Sequence, residues 1–153
     1  MKEIAGNLDA TGLKMALVVS RFNSFFTEQL VKGAADCFVR HGGKEVDLTL
    51  VRVPGANELP QVAQRLAVSG KVDAVIALGA VIQGATPHAD LINDTVARAL
   101  SKIALDTGVP VLNGIVCALN LEQAIERAGT KQGNKGWDAV AAAIETVNVL
   151  KAL

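Results

Sequence analysis

Apolar residues along this chain change their spacing in a regular way. Lys14-Met15-Ala16-Leu17-Val18-Val19-Ser20 is a short unbroken apolar run, and Ala74-Val75-Ile76-Ala77-Leu78 is another. Short runs without alternation are the pattern of strands buried on both faces. Between them the period lengthens. From residue 24 to about 41 the apolar positions are Phe26, Leu30, Ala34, Cys37 and Phe38, close to 3.6 residues per turn. Asn23 or Ser24 is available to cap this helix, and His41-Gly42-Gly43 stops it. A second strand, from about 47 to 53, meets Pro54-Gly55, and Glu58 falls near the start of a helix reaching about residue 69. After the third strand a long pattern, from about 88 to 106, sets Leu91, Ile92, Thr95, Val96, Ala99, Leu100 and Ile103 on one side, and Thr107-Gly108 ends it. A fourth strand begins at Val109 and reaches Val116. A short helix over 121–128, a loop over 129–134 and an amphipathic helix over 135–150 complete the chain. Residues 2–7 suit a short strand against a neighbour or a sheet edge.

Strand and helix therefore alternate four times. That alternation predicts an α/β three-layer sandwich, with a four-stranded parallel sheet, right-handed crossovers and helices on both faces. No internal repeat, linker or low-complexity segment interrupts it, so residues 1–153 read as one domain with enough chain to bury a core.

Composition narrows the function. Half of the residues are apolar, yet no run reaches the roughly 18 residues of a membrane span, and the first residues lack the apolar stretch of a signal peptide. Fifteen basic residues balance fifteen acidic ones without a basic stripe, which argues against nucleic acid as a partner. Cys37 and Cys117 suit reduced thiols in a cytoplasmic protein better than a disulfide framework. Neither they nor His41 and His88 have metal-ligand spacing, so no metal is expected.

In an open parallel sheet, ligands bind outside the carboxyl ends of the strands. The segments expected there are Arg21-Phe22-Asn23, residues 54–58, residues 80–88 and Asn113-Gly114-Ile115. Gly84-Ala85-Thr86-Pro87 makes a small-residue turn leading to His88 at the head of a helix. Unpaired N–H groups and the positive end of the helix dipole converge there on an anion site. His88 adds a group that moves protons near neutral pH. Phe22 offers a stacking ring and Glu58 a carboxylate, while Arg127, Lys131 and Lys135 offer cations for phosphate. The expectation is a phosphorylated small molecule on which His88 acts. Taken singly, each piece has a plainer reading: a tight turn, a surface histidine, a loop anchor, a first-turn acid, a solvated basic face. Their convergence is the argument.

These residues resemble the lumazine synthase family. The matching segments are Ser20-Arg21-Phe22-Asn23, Val53-Pro54-Gly55-Ala56 with Glu58, and Gly79 with Val81-Ile82 and Gly84-Ala85-Thr86-Pro87-His88. The most specific is residues 121–131 (LEQAIERAGTK) with Gly133-Asn134-Lys135-Gly136. The resemblance implies condensation of 5-amino-6-ribitylaminouracil with 3,4-dihydroxy-2-butanone 4-phosphate to 6,7-dimethyl-8-ribityllumazine, without cofactor or metal. On this sequence it implies that Phe22 stacks on the pyrimidine and that Glu58 and the Ala56 backbone hold the ribityl chain. The backbone of Ala80, Val81 and Ile82 would bind the uracil edge. The amides of Ala85 and Thr86, with Arg127 and nearby Lys135, would hold phosphate, and His88 would transfer protons. It further implies pentamers with sites between subunits, which in some members close, twelve together, into an icosahedral shell.

The chain departs from the family pattern where Asn57, Ala89 and Asn113 stand in place of aromatics and Gln83 in place of a basic residue. Lost ring contacts at roughly 25 cal/mol per Å² weaken ring binding by a few kcal/mol. The alternatives are a shell-forming scaffold with weakened catalysis and, since the expected strand order is flavodoxin-like, a flavin- or nucleotide-binding module.

Overall fold

β3 (Ala74–Ile82) is buried along all but its last residue, and the other elements are layered on it. In the computed structural model, which describes residues 1–130 and 133–153, β3 lies between β1 (Met15–Ser20) and β4 (Val111–Ala118). β2 (Leu48–Val53) pairs with the far side of β1. The sheet is parallel throughout, in the order β2-β1-β3-β4, which is the flavodoxin-like arrangement. Alternate side chains separate two cores. Met15, Leu17, Val19, Ile76 and Leu78 pack under α1 (Ser24–Arg40) and α5 (Lys135–Ala152). Val18, Val75, Ala77 and Ile115 pack under α2 (Leu59–Ala67) and α3 (His88–Thr107). No helix among the described residues is long and apolar enough to cross a membrane.

The five apolar positions read on α1 are all buried. Its end follows the sequence closely: Gly42, at φ 97°, donates to Val39 O while Gly43 donates to Phe38 O, a Schellman ending that uses glycine's freedom at positive φ.

Four local expectations change. Residues 2–7 form no strand; they lie along α5, where Asn148 Nδ2 donates to the carbonyls of Asn7 (2.6 Å) and Asp9 (3.0 Å). A side chain thus satisfies carbonyls that a sheet edge would otherwise have taken. β4 starts and ends two residues later than expected. β3 is nine residues long and offers a ladder as far as Ile82 opposite Ala118, so Asn113-Gly114-Ile115 lies in mid-strand rather than past its tip. The buried stripe of α3 is Ala89, Val96, Leu100 and Ile103. Leu91, two residues and thus about 200° round the helix from Ala89, is 66 % exposed, and Thr95 also faces out. Finally, the stretch read as a loop includes two short antiparallel strands, β5 (Ala128–Thr130) and β6 (Gly133–Asn134), with Gly129 and Gly133 at positive φ. Lys131 lies outside the described residues.

α1 and α5 cross closely because glycine lies on both surfaces. A Cβ on Gly136 would stand 2.1 Å from the carbonyl oxygen of Leu30, and one on Gly33 would strike the Asn134 side chain at 2.3 Å. The obstacle at Gly136 is backbone, so a methyl there must push the helices apart. Gly136→Ala is expected to destabilise by about 1–3 kcal/mol, the usual cost of overpacking. Thermal unfolding at matched protein concentration reads this as a drop of several degrees; an unchanged midpoint would mean the helices separate freely.

Candidate active site

β1 stops short of β3. The β1–β3 ladder ends at Val19 opposite Leu78, while β3 continues to Ile82 against β4. The N–H of Gln83 donates to Ala118 O on the β4 side, so alternation along the strand turns the polar groups of Ala80 and Ile82 the other way. They face a cleft of about 520 Å³ at the carboxyl ends of β1, β2 and β3. Phe22, Ala56, Glu58, Ala80, Val81, Ile82, Thr86 and His88 all line it, and Ala85 sits in the turn beside Thr86. Residues distant in sequence are thus brought together as the strand-tip rule requires.

Each wall has a local cause. The loop after β1 is tied to the β2 tip by Arg21 N to Val53 O (2.8 Å) and Phe22 N to Pro54 O (3.1 Å), leaving the Phe22 ring 73 % exposed at the cleft. Pro54 and Gly55 end β2, and a 3-10 turn at Ala56–Glu58 follows. Gly55 leaves room for the Glu58 carboxylate, whose Oε2 would be 3.1 Å from any added Cβ. Glu58 makes no ion pair among the described residues and is free to accept hydrogen bonds from a polyol. At the head of α3, Pro87 occupies the N-cap and supplies no side-chain acceptor. The first-turn amides of this 20-residue helix therefore remain uncapped beside Thr86 and the exposed His88. This is the donor arrangement that suits an anion.

Arg127 and Lys135 are not in this cleft. They line a second one, of about 410 Å³, with Asn113 and Asp138 on the flank of the edge strand β4. Within one chain the two sets of residues therefore lie on different surfaces, because an edge strand presents its outer flank as well as its tip. Two residues of the 121–136 segment to which the sequence alone assigns no role place the cations. Gln123 Oε1 accepts from Leu119 N (2.8 Å) and from Arg127 Nη1 (3.3 Å). Asn134 caps α5 by accepting from Gly136 N (2.8 Å) and Trp137 N (3.1 Å), which fixes Lys135 as the first helical residue. Asn120 caps α4 (Leu121–Arg127) by accepting from Gln123 N. The Asn-x-x-Gln spacing and an Asn immediately before Lys135 were the signals that point to them.

Among the departures, Asn57 and the buried Ala89 line the first cleft. Asn113 Oδ1 turns back to accept from Ile115 N at 3.0 Å. Burial favours the protonated form of both thiols. Burial raises Cys37 to about 11, and burial also raises Cys117 despite the opposing charge of Lys135. No group of three His, Cys, Asp or Glu side chains among the described residues is arranged to hold a metal.

The 6,7-dimethyl-8-ribityllumazine synthase family model matches residues 12–151. The chain is 56 % identical over 149 residues to a protein of that name from Prosthecochloris aestuarii, covering 97 % of this chain and 96 % of the relative. It is 53 % identical over 151 residues to one from Chlorobium limicola, covering 99 % and 97 %. A third, from Chlorobaculum tepidum, is 51 % identical over 153 residues, covering 100 % and 99 %. With matches that run from before β1 into the last turn of α5, the chain belongs to the 6,7-dimethyl-8-ribityllumazine synthase family.

Proposed function

We propose that this chain condenses 5-amino-6-ribitylaminouracil with 3,4-dihydroxy-2-butanone 4-phosphate to 6,7-dimethyl-8-ribityllumazine, releasing phosphate and water, as a cytoplasmic enzyme of riboflavin synthesis. The observation that carries the reading is the shared cleft of Phe22, Thr86, the uncapped start of α3 and His88. Phe22 stacks on the pyrimidine while the strand edge from Ala80 through Val81 to Ile82, open at the N–H and C=O of Ile82, meets the polar edge of the ring. Glu58 and the backbone at Ala56 hold the ribityl hydroxyls. The Ala85 and Thr86 amides receive the phosphate. His88 takes and returns the protons that imine formation and phosphate elimination require, and the amides stabilise the leaving anion. No step needs a metal or cofactor.

The phosphate site is completed across a subunit boundary, by Arg127 and Lys135 of the partner subunit. The two clefts are different surfaces, so joining one to the other is a head-to-tail contact, which closes into a ring when the rotation allows. A pentamer is the ring proposed here, and a sixty-subunit shell is the larger assembly that twelve such rings would build. Exposed Phe25 (74 %) and Leu105 (85 %) give such contacts apolar surface to bury. The scaffold alternative is not favoured, because the relatives at 51–56 % identity are named for the enzyme.

Formation of the lumazine from the two substrates, followed by absorbance, tests the reading directly. Arg127→Ala is expected to raise KM for the phosphorylated butanone about 10- to 100-fold, the range for losing a charge-assisted contact. KM for the pyrimidine should move less than about threefold. Equal shifts in both would remove Arg127 from the phosphate site.

A further inference from the structure

Asn23 is the only non-glycine residue with positive φ among the described residues, at φ 62° and ψ 42°. It stands at the N-cap of α1, where asparagine ordinarily accepts a hydrogen bond from the first turn. Its side chain makes no such bond. The capping is left to its backbone carbonyl, which accepts from Phe26 N (3.0 Å) and Thr27 N (3.1 Å). The amide instead crosses to β3, where Nδ2 donates to the carbonyl of Ala80 at 2.7 Å, a partly buried bond between residues 57 apart in sequence. A left-handed backbone and a forgone cap are kept together, and both serve this one contact.

The contact lies where β1 gives out. With the β1–β3 ladder ended at Val19 and Leu78, the Asn23 amide stands where a further β1 residue would have paired with β3. It fixes the Ala80–Val81 peptide plane and leaves the N–H and C=O of Ile82 as the open pair on the strand edge. The same loop carries Phe22, so one side chain sets the spacing between stacking ring and polar edge. Asn23 itself lines the cleft.

We infer that Asn23 is a positioning residue for the ring-bearing substrate, holding Ala80 through its amide so that ring face and ring edge are met together. This rests on the function proposed above. Two variants separate the tether from the backbone conformation. Asn23→Gly adopts the left-handed conformation without strain but cannot reach Ala80. Asn23→Asp keeps the shape, caps a helix well and cannot donate when ionised. Both are expected to weaken binding of 6,7-dimethyl-8-ribityllumazine, read from its own fluorescence, by about tenfold or more, the usual effect of losing a partly buried hydrogen bond. KM for the pyrimidine should rise in step. KM for the phosphorylated butanone should stay within about threefold. Wild-type affinity in either variant, or equal losses for both substrates, would overturn the inference. Lumazine bound by the wild-type chain without turnover would sink the enzymatic reading while the tether is still measured by binding. A wild-type chain that binds no lumazine would end both.

Discussion

Replacing His88 with alanine is expected to slow lumazine formation by about 10²–10⁴-fold, the usual contribution of a positioned general acid–base group. That range corresponds to about 3–5.5 kcal/mol of barrier. The loss should fall on kcat. In the proposed site Phe22, Glu58 and the strand edge of β3 hold the ring-bearing substrate without the imidazole, and the amides at Ala85 and Thr86 hold the phosphate. Some rate persists, because two reactants held side by side still react faster than free ones. The fold has little reason to respond. His88 is exposed, makes no side-chain hydrogen bond among the described residues, and is not the N-cap of α3. Size-exclusion and circular dichroism profiles should match the parent. His88→Gln separates two roles, since glutamine keeps a hydrogen-bonding side chain and cannot carry a proton near neutral pH. It is expected to be as slow as the alanine variant. A glutamine variant at the parental rate would make His88 a hydrogen-bond donor only, and an unchanged alanine variant would remove it from the chemistry.

Much of the architecture was legible because burial on both faces writes itself into sequence. Ala74–Leu78 could remain apolar without alternation only if helices covered both sides, and helices do. The α1 stripe and its glycine stop were local signals with local causes. What escaped was set by partners distant in sequence. The register of β4 follows from the length of β3, so Asn113 was read at a strand tip and lies in mid-strand instead. Asn23 was marked as a cap from its type and position; that its side chain leaves the helix for Ala80 depends on where β1 ends relative to β3. Residues 2–7 had the composition of a strand and no ladder to join, and Asn148 bonds to their end instead.

The cleft of Phe22 and His88 was legible for a more general reason. Chain segments leaving parallel strands at their carboxyl ends must emerge together, whatever the details of each loop. No comparable rule fixes the position of Arg127 and Lys135. They flank an edge strand, and the composite site proposed above needs another copy of the chain against that flank. A sequence can group two cations with an expected phosphate site without showing which surface of the fold carries them. In the chain itself the two halves are separate clefts, and that separation makes the strongest test available.

Two impaired variants should restore each other. Chains carrying His88→Ala keep an intact Arg127 cleft, and chains carrying Arg127→Ala keep an intact His88 cleft. In assemblies of one variant alone every composite site has one damaged wall. Co-expressed in equal amounts, the variants meet at random around a ring. A site is whole when its His88 wall comes from an Arg127→Ala chain and its Arg127 wall from a His88→Ala chain, which is half of a half, about one quarter of all sites in a head-to-tail ring. With the phosphorylated butanone held well below the KM of the Arg127 variant, mixed assemblies carrying two affinity tags should recover about a quarter of the parental activity. That is about 2.5- to 25-fold above the Arg127 variant, which keeps about 1–10 % of the rate at low butanone, and about 25-fold or more above the His88 variant. Parental KM values in the restored fraction would show that the recovered sites are complete ones. Mixed assemblies no more active than the two separate variants would mean that His88 and Arg127 never serve the same substrate from two chains, and the composite phosphate site would have to be abandoned.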